Sequence, residues 1–439
     1  MVRRQSHNPK IPIIICIDIE PDELAIKPYK RKDWRGFRAT WKYFKRLRPL
    51  LELATKSAAR FNWFLRMDPQ VAHTYGSADW AAIRYPKLFA EMQHAQDEIG
   101  LHLHVWRWDD VEQKWVSDFA DQEWIEHCVR QSFYEFERCF KRPCRSFRFG
   151  DRWMNNRTVE LIECLGARFD LTIEPGRKPE KLPYPFTGSL PDYTTALRRH
   201  YRPSKSDYLQ PGDAHSQRDL WIIPLSTANI NWASPLLSPE SRLRLTLSVS
   251  AAYEGYFDYV DQDWIVGWVY DATRSDETVY IDVYDNGEIV GSYAADLFRP
   301  DLLSAGKGNG AHGFQIPAPE SKKDGRLHEI RIKVAGADFE LNHSPKEVSW
   351  DSRAVGQDFW TMNLFNNSAL FCKFFDSLIY EQKTPLLTFV IRSDAVLYRD
   401  ARGHIERNIE HIISHPLAES FVITTPAEVM QIIGSEEAQ

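Results

Sequence analysis

From Ile11 to Ile19 the chain is apolar and largely β-branched, a run that predicts a strand buried on both faces of a sheet. The period then changes. Trp34, Phe37, Trp41, Phe44, Leu47, Leu50 and Leu51 recur at the spacing of one helix face. The alternation continues with a strand over Phe61–Met67, a helix over Ala78–Gln96 and a short strand over Ile99–His104. Asp121–Lys141 carries acids early and bases late, as a helix dipole prefers. Phe147–Phe149 predicts a strand end, Asn155–Gly166 a helix with a glycine stop, and Arg168–Thr172 another strand. Strands alternating with helices imply a parallel sheet, open or closed.

Pro175–Asp219 is rich in Pro, Gly, Ser and Arg and predicts long loops before a strand at Trp221–Leu225. Between about Gly255 and Ser344 the helical period vanishes and strict alternation replaces it, as in Val279-Tyr280-Ile281-Asp282-Val283-Tyr284. Asp285-Asn286-Gly287 predicts a tight hairpin turn, since Asn-Gly tolerates positive φ. The alternate aromatics Trp264, Trp268 and Tyr270 are expected to face the core of this all-β block. Helix and strand then return: Ser368–Glu381 helical, Leu386–Ile391 a buried strand, Arg402–His415 helical, Phe421–Thr424 a strand and Pro426–Ile433 a closing helix. The chain therefore divides into a βα domain over 8–252, an inserted all-β module over 253–346, and the rest of the βα domain over 347–434.

Polar residues keep falling at predicted strand ends, where parallel-sheet enzymes place their sites. Asp18 and Glu20 lie two apart, so both carboxylates leave the first strand on one side. His102 and His104 repeat that spacing on another strand. One carboxylate and two imidazoles with a fourth position open form a common catalytic zinc set. Arg148 ends a third strand, and Arg392 and Asp394 end a fourth. Asp22, Trp106 and Trp153, beside these motifs, are candidates for substrate contact.

The order Ile17-Asp18-Ile19-Glu20, then Ile99-Gly100-Leu101-His102-Leu103-His104, then Phe147-Arg148-Phe149-Gly150, then the last strand near Phe421, resembles the polysaccharide deacetylase (NodB-like) family over about 11–250 and 350–434. The resemblance implies a distorted (β/α) barrel interrupted by an all-β sandwich module, and an N-deacetylase using one divalent ion, most simply zinc. It implies Asp18 as base, Glu20 as a metal ligand with His102 and His104, and Arg148 as the group that orients the base. Two positions depart from the pattern. The family spaces its histidines four apart, where this chain has Trp106, so His104 becomes the second ligand. Arg392 stands where the family has an acid histidine, while Asp394 remains. An Arg cannot donate a proton near neutral pH, although it can stabilise an oxyanion. That substitution sets up the alternative, a catalytically impaired barrel that binds glycan or serves as a scaffold. A non-sugar amide substrate is a third option. The module, with Gly267-Trp268-Val269-Tyr270-Asp271 and Gly310-Ala311-His312-Gly313-Phe314, resembles a small β-sandwich found beside bacterial glycosyltransferases, a resemblance that leaves glycan binding and a glycosyltransferase partner equally open.

Composition narrows the partners. The formal charge of −6 over 439 residues offers no general field for nucleic acid. Lys27–Arg48 is the exception, with ten Lys or Arg and one acid, Asp33. It is expected to be a solvated helix face, with Lys30, Arg31, Lys32 and Arg35 as candidate contacts for a phosphate-linked sugar. No stretch nears the roughly 18 apolar residues of a transmembrane helix. The six cysteines are irregularly spaced and predict free thiols, which fits a cytoplasmic carbohydrate enzyme.

Overall fold

The computed structural model describes residues 10–22, 34–182, 185–229, 252–261, 264–319, 326–350, 359–381 and 386–436. The chain separates into two compact units, 1–229 with 359–439, and 230–358. In chain order the first unit begins with β1 (Ile11–Ile19), α1 (Arg35–Thr55), β2 (Asn62–Arg66), α2 (Pro69–Tyr75), α3 (Trp80–Arg84), α4 (Pro86–His94) and β3 (Glu98–Leu103). It goes on through β4 (Trp106–Asp109), β5 (Lys114–Asp118), α5 (Gln122–Phe140), β6 (Ser146–Phe149), α6 (Asn156–Cys164), β7 (Phe169–Asp170), β8 (Phe186–Thr187), β9 (Trp221–Ile222) and β10 (Thr227–Asn229).

The second unit holds β11 (Tyr253–Val260), β12 (Trp264–Asp271), β13 (Val279–Asp285), β14 (Glu288–Ala295), β15 (Leu297–Phe298), α7 (Pro300–Ser304), β16 (Ala311–Pro317), β17 (Leu327–Val334) and β18 (Lys346–Ser349). The first unit resumes with β19 (Phe359–Thr361), α8 (Ser368–Glu381), β20 (Leu387–Arg392), α9 (Arg399–Ser414), β21 (Phe421–Ile423) and α10 (Pro426–Glu436).

The main sheet is parallel and runs β20-β1-β2-β3-β6-β7-β9, with β21 paired to the first residues of β1. This is a curled, mostly parallel half-barrel rather than a closed barrel. β7 and β9 have only two residues each, too short to carry the ladder round to β20. Ser226 spans the seam instead: its N–H donates to the Thr388 carbonyl at 2.9 Å, and its hydroxyl accepts from the Thr388 N–H at 2.9 Å. Ile14, Cys16, Phe64, Leu171, Ile223 and Leu225 pack into one apolar cluster on the concave side. All six cysteines are unpaired.

Two local features depart from the pattern-based expectation. The helix expected over Ala78–Gln96 is two, α3 and α4, because Pro86 disfavours a helical residue 85 and starts a new helix. α2 precedes them, set by Pro69 at its first turn and by Asp68, whose carboxylate accepts the Val71 N–H. The hairpin β4–β5, not foreseen, pairs Trp106 with Ser117 and Asp109 with Lys114.

In the second unit, β11-β12-β16-β15 and β14-β13-β17-β18 are four-stranded antiparallel sheets that share one apolar core. Asn286 and Gly287 turn β13 into β14 with φ of 48° and 86°. In β12 the strand parity is the reverse of that expected for the tryptophans. Ile265 and Val269 enter the core, and Gly267 lets Phe314 approach where a Cβ would lie 2.5 Å from its ring. Trp264 and Trp268 fall on the opposite face, half-buried, while Tyr270 is buried against His312.

Candidate metal centre

Strand parity builds the site. Ile14, Cys16 and Asp18 share the concave face of β1, and Glu20 follows just past the strand end. β2 offers Arg66, β3 and its next residue offer His102 and His104, and β6 offers Arg148, on the three strands that follow β1 in parallel register. β20 brings Arg392 opposite Asp18. Ser393 locks that edge, because its N–H donates to the Asp18 carbonyl at 2.9 Å and its carbonyl accepts the Thr40 hydroxyl at 2.6 Å.

These side chains form one continuous network. Arg148 Nε meets both Asp18 oxygens at 3.0 and 3.1 Å, and its Nη1 donates to the Leu171 carbonyl at 2.9 Å. Glu20 Oε1 lies 3.2 Å from Arg392 Nε, which also donates to Asp394 Oδ1 at 3.1 Å. Glu20 Oε2 lies 3.7 Å from Arg66 Nη1, 3.3 Å from His104 Nε2 and 4.0 Å from His102 Nε2. The two Nε2 atoms are 3.1 Å apart. Arg66 is pinned by Asp68 at 2.6 Å and by Gln70. Asp68 also accepts the His104 backbone N–H at 2.9 Å.

Three arguments test whether Glu20, His102 and His104 fit a metal ion. The first is tautomeric. His102 Nδ1 contacts the Arg148 carbonyl at 3.0 Å, so it carries the proton; His104 Nδ1 contacts Asp151 Oδ2 at 2.8 Å and does the same. In the neutral rings both Nε2 lone pairs then face each other and Glu20 Oε2, a buried oxygen without a hydrogen bond. Three converging acceptors repel unless a cation joins them. The second is metric. Ligands at about 2.0–2.1 Å from a tetrahedral zinc lie about 3.3 Å apart; two of the three separations match at 3.1 and 3.3 Å, and the third, His102 Nε2 to Glu20 Oε2, is wider at 4.0 Å. The third is charge. Among the described residues the network holds five carboxylates (Asp18, Glu20, Asp68, Asp151, Asp394) against three guanidiniums (Arg66, Arg148, Arg392). With neutral imidazoles it is two charges negative, the deficit a divalent ion fills. The residues fit.

Protonation follows the same field. Burial disfavours charge on Glu20, but Arg392 and His104 outweigh it and hold its carboxyl well below the usual range. Burial also opposes a charged His104, yet in the metal-free chain the Asp151 carboxylate raises it to about 9, so an entering ion must displace the proton that Nε2 shares with Glu20 and leave the ring neutral. His102 is pushed down by burial, which outweighs the more distant Asp18 and Glu20 carboxylates. Burial opposes charge on Asp151 too, but the His104 beside it lowers its pKa.

The backbone accommodates the rings at some strain. A Cβ on Gly150 would lie 2.4–2.6 Å from His104 ring atoms. Asp151 and Arg152 then take left-handed φ values of 52° and 49°. Such strain in consecutive non-glycine residues concentrates at functional loops, and here it aims Asp151 at His104.

Asp18, Glu20, His102, His104, Arg148, Arg392 and Asp394 thus come together. Asp22, Trp106 and Trp153 do not join them. The Asp22 carboxylate accepts the Gly36 and Arg35 N–H groups at 2.9 and 3.2 Å, serving the start of α1 because Trp34 has no capping side chain. Trp106 packs on Phe186, and Trp153 stacks on Phe119. At 2% and 5% exposure both residues are largely interior, although Trp106 also lines a small cavity with Trp108, Trp115 and Trp124. Lys30, Arg31 and Lys32 lie outside the described residues; Arg35 is exposed, 3.6 Å from Asp22. Arg66, Asp68, Asp151 and Ser393 are part of the site without having been singled out in the sequence. The signal for two of them was present, since Arg66-Met67-Asp68 repeats the i, i+2 polar pair at a strand end.

No protein-family profile matches the chain, and no curated protein matches it. Among the described residues no helix is long and apolar enough to cross a membrane. Among solved structures, a protein from Mycobacterium smegmatis assigned as a polysaccharide deacetylase aligns over 98% of this chain and 93% of its own, with 9% identity and a TM-score of 0.44. A glycoside hydrolase/deacetylase from Parabacteroides distasonis aligns over 98% and 71%, with 11% identity and a TM-score of 0.44. A polysaccharide deacetylase involved in O-antigen biosynthesis in Bordetella bronchiseptica aligns over 52% and 64%, with 14% identity and a TM-score of 0.24. These similarities are loose, and the chemistry of the centre rests on its own side chains.

Proposed function

We propose that this protein is a metal-dependent hydrolase that removes the acetyl group from an N-acetylated sugar in bacterial surface-polysaccharide assembly. The observation that carries the reading is the meeting of Glu20 Oε2, His102 Nε2 and His104 Nε2 beside an Asp18 gripped by Arg148. Glu20, His102 and His104 would hold the ion, zinc by preference for this donor set, which would polarise the acetamide carbonyl and acidify a bound water. Asp18 takes the proton of the attacking water, and Arg148 fixes the direction of that carboxylate. Arg392 shares the oxyanion charge: its Nη groups make no hydrogen bond among the described residues, while Asp394 steadies its Nε. The proton gained by Asp18 passes to the nitrogen as the C–N bond breaks, since Arg392 has none to give near neutral pH. Acetate and the free amine leave.

One observation favours a second reading. Arg392 lies on Glu20 Oε1, and Arg66 is 3.7 Å from Oε2, so two guanidiniums compete with an ion for the only carboxylate among the three ligands. In that reading the barrel binds glycan without cleaving it. Metal analysis of the purified protein, followed by acetate release from N-acetylated sugars and sugar nucleotides, separates the two. Stoichiometric metal with turnover that Asp18→Asn abolishes supports hydrolysis. Protein that binds no stoichiometric metal and releases no acetate from any substrate supports the binding role.

A further inference from the structure

On the outer side of the sheet, α1 and α9 pack side by side and enclose a groove of about 620 Å³. Its floor is apolar, with Leu47, Val396, Ile409 and Ile413. One wall presents Lys42 and Arg46 from α1, the other Glu406 and Glu410 from α9 with Arg402 one turn before them, and all five are exposed. Arg38, Lys42 and Arg46 form an i, i+4 row, and none has an ion pair among the described residues. Glu410 likewise has none, and Glu406 meets Arg402 only at 3.8 Å. Beyond Arg46 the row ends in Leu50 and Leu53, 52% and 68% exposed. Unpaired bases on one wall, an apolar floor, and on the other wall an unpaired Glu410 beside a Glu406 held only by a long pair to Arg402 are the two complementary halves of a single contact.

We infer that this face binds a second copy of the chain through a two-fold axis running along the groove. Charge selects that axis. It lays α1 of one copy over α9 of the other, with Lys42 and Arg46 against acids at the same height of the groove. A two-fold axis across the groove would instead stack base on base and acid on acid. Self-complementary two-fold contacts are the commonest oligomeric arrangement. Two helices of this length cover a face of about 30 Å by 20 Å, near the roughly 800 Å² per partner of stable interfaces. An anionic bilayer would suit the bases and leucines but would face Glu406 and Glu410 with like charge. The inference is independent of the reaction proposed above.

Light scattering and sedimentation equilibrium of the full chain test it, with three variants at exposed positions. Lys42→Glu with Arg46→Glu should weaken dimerisation at least tenfold, and Glu406→Lys with Glu410→Lys should do the same. The four changes together should restore it, because the two walls have exchanged sign. A parent protein that stays monomeric at tens of micromolar overturns the inference. So does a fourfold variant no better associated than either double variant. Binding to phosphatidylglycerol vesicles that is lost in Lys42→Glu with Arg46→Glu, without any dimer, assigns the face to lipid instead.

Discussion

Asp151 offers the sharpest test of the proposed metal centre, because it touches the proposed ligand His104 and would not touch the ion itself. Its carboxylate accepts from His104 Nδ1 at 2.8 Å, fixing the tautomer that frees Nε2, and it supplies one of the five negative charges of the network. Asp151→Asn keeps an acceptor oxygen and removes the charge. It also tolerates the φ of 52°, since Asn visits the left-handed region readily. Loss of such a partner typically weakens metal affinity by about 10–100-fold, or about 1.4–2.7 kcal/mol. Asn should fall near the lower figure. Asp151→Ala should approach the upper one and lose about 1–2 kcal/mol of stability in addition, because Ala is strained at that φ. Competition between metal-stripped protein and a chromophoric zinc chelator measures the affinity, and thermal melts of the metal-free forms isolate the backbone effect. An Asn variant that binds zinc as tightly as the parent, with an unchanged melt, would refute the second-sphere role and the charge-balance argument with it.

Two further perturbations probe the surroundings. Gly150→Ala places a Cβ within 2.6 Å of the His104 ring, so the ring must move; zinc content should fall sharply while circular dichroism stays native, and full occupancy would show that the ring has room. Asp170 is buried in β7, its carboxylate hydrogen-bonded to Thr172 alone among the described residues, and burial raises it from 3.8 to about 7. The folded state therefore holds an extra proton between those values: the stability this adds is complete below about pH 4 and is lost as pH rises through about 7. The upper bound is about 4 kcal/mol. Urea midpoints should fall from pH 5 to pH 8 in the parent and fall less in Asp170→Asn; parallel curves would place the titration elsewhere.

Much of the centre was readable in advance because a strand has a period of two. Asp18 with Glu20, and His102 with His104, must leave their strands on one side whatever the rest of the chain does. The alternation of strand and helix likewise implied a parallel sheet, whose polar C-terminal edge marks where to look. Asp22 and the tryptophans show where such reasoning fails. Position beside a motif does not say whether a carboxylate faces a cleft or serves a helix start, or whether an indole is a platform or core. The seam at Ser226–Thr388 and the division of the Ala78–Gln96 segment turned on strand length and on single prolines.

What the sequence determined by itself was local: which segments are strands or helices, which residues share a face, and that Arg392 stands in a position that cannot supply a proton. The tertiary structure decided everything that depends on neighbours from distant segments. Arg66 under Glu20, Asp151 behind His104 and Arg392 on Oε1 are contacts between elements dozens to hundreds of residues apart. Charge balance and imidazole tautomer are sums over such contacts, and periodicity, which describes only the path of one strand, contains no term for them.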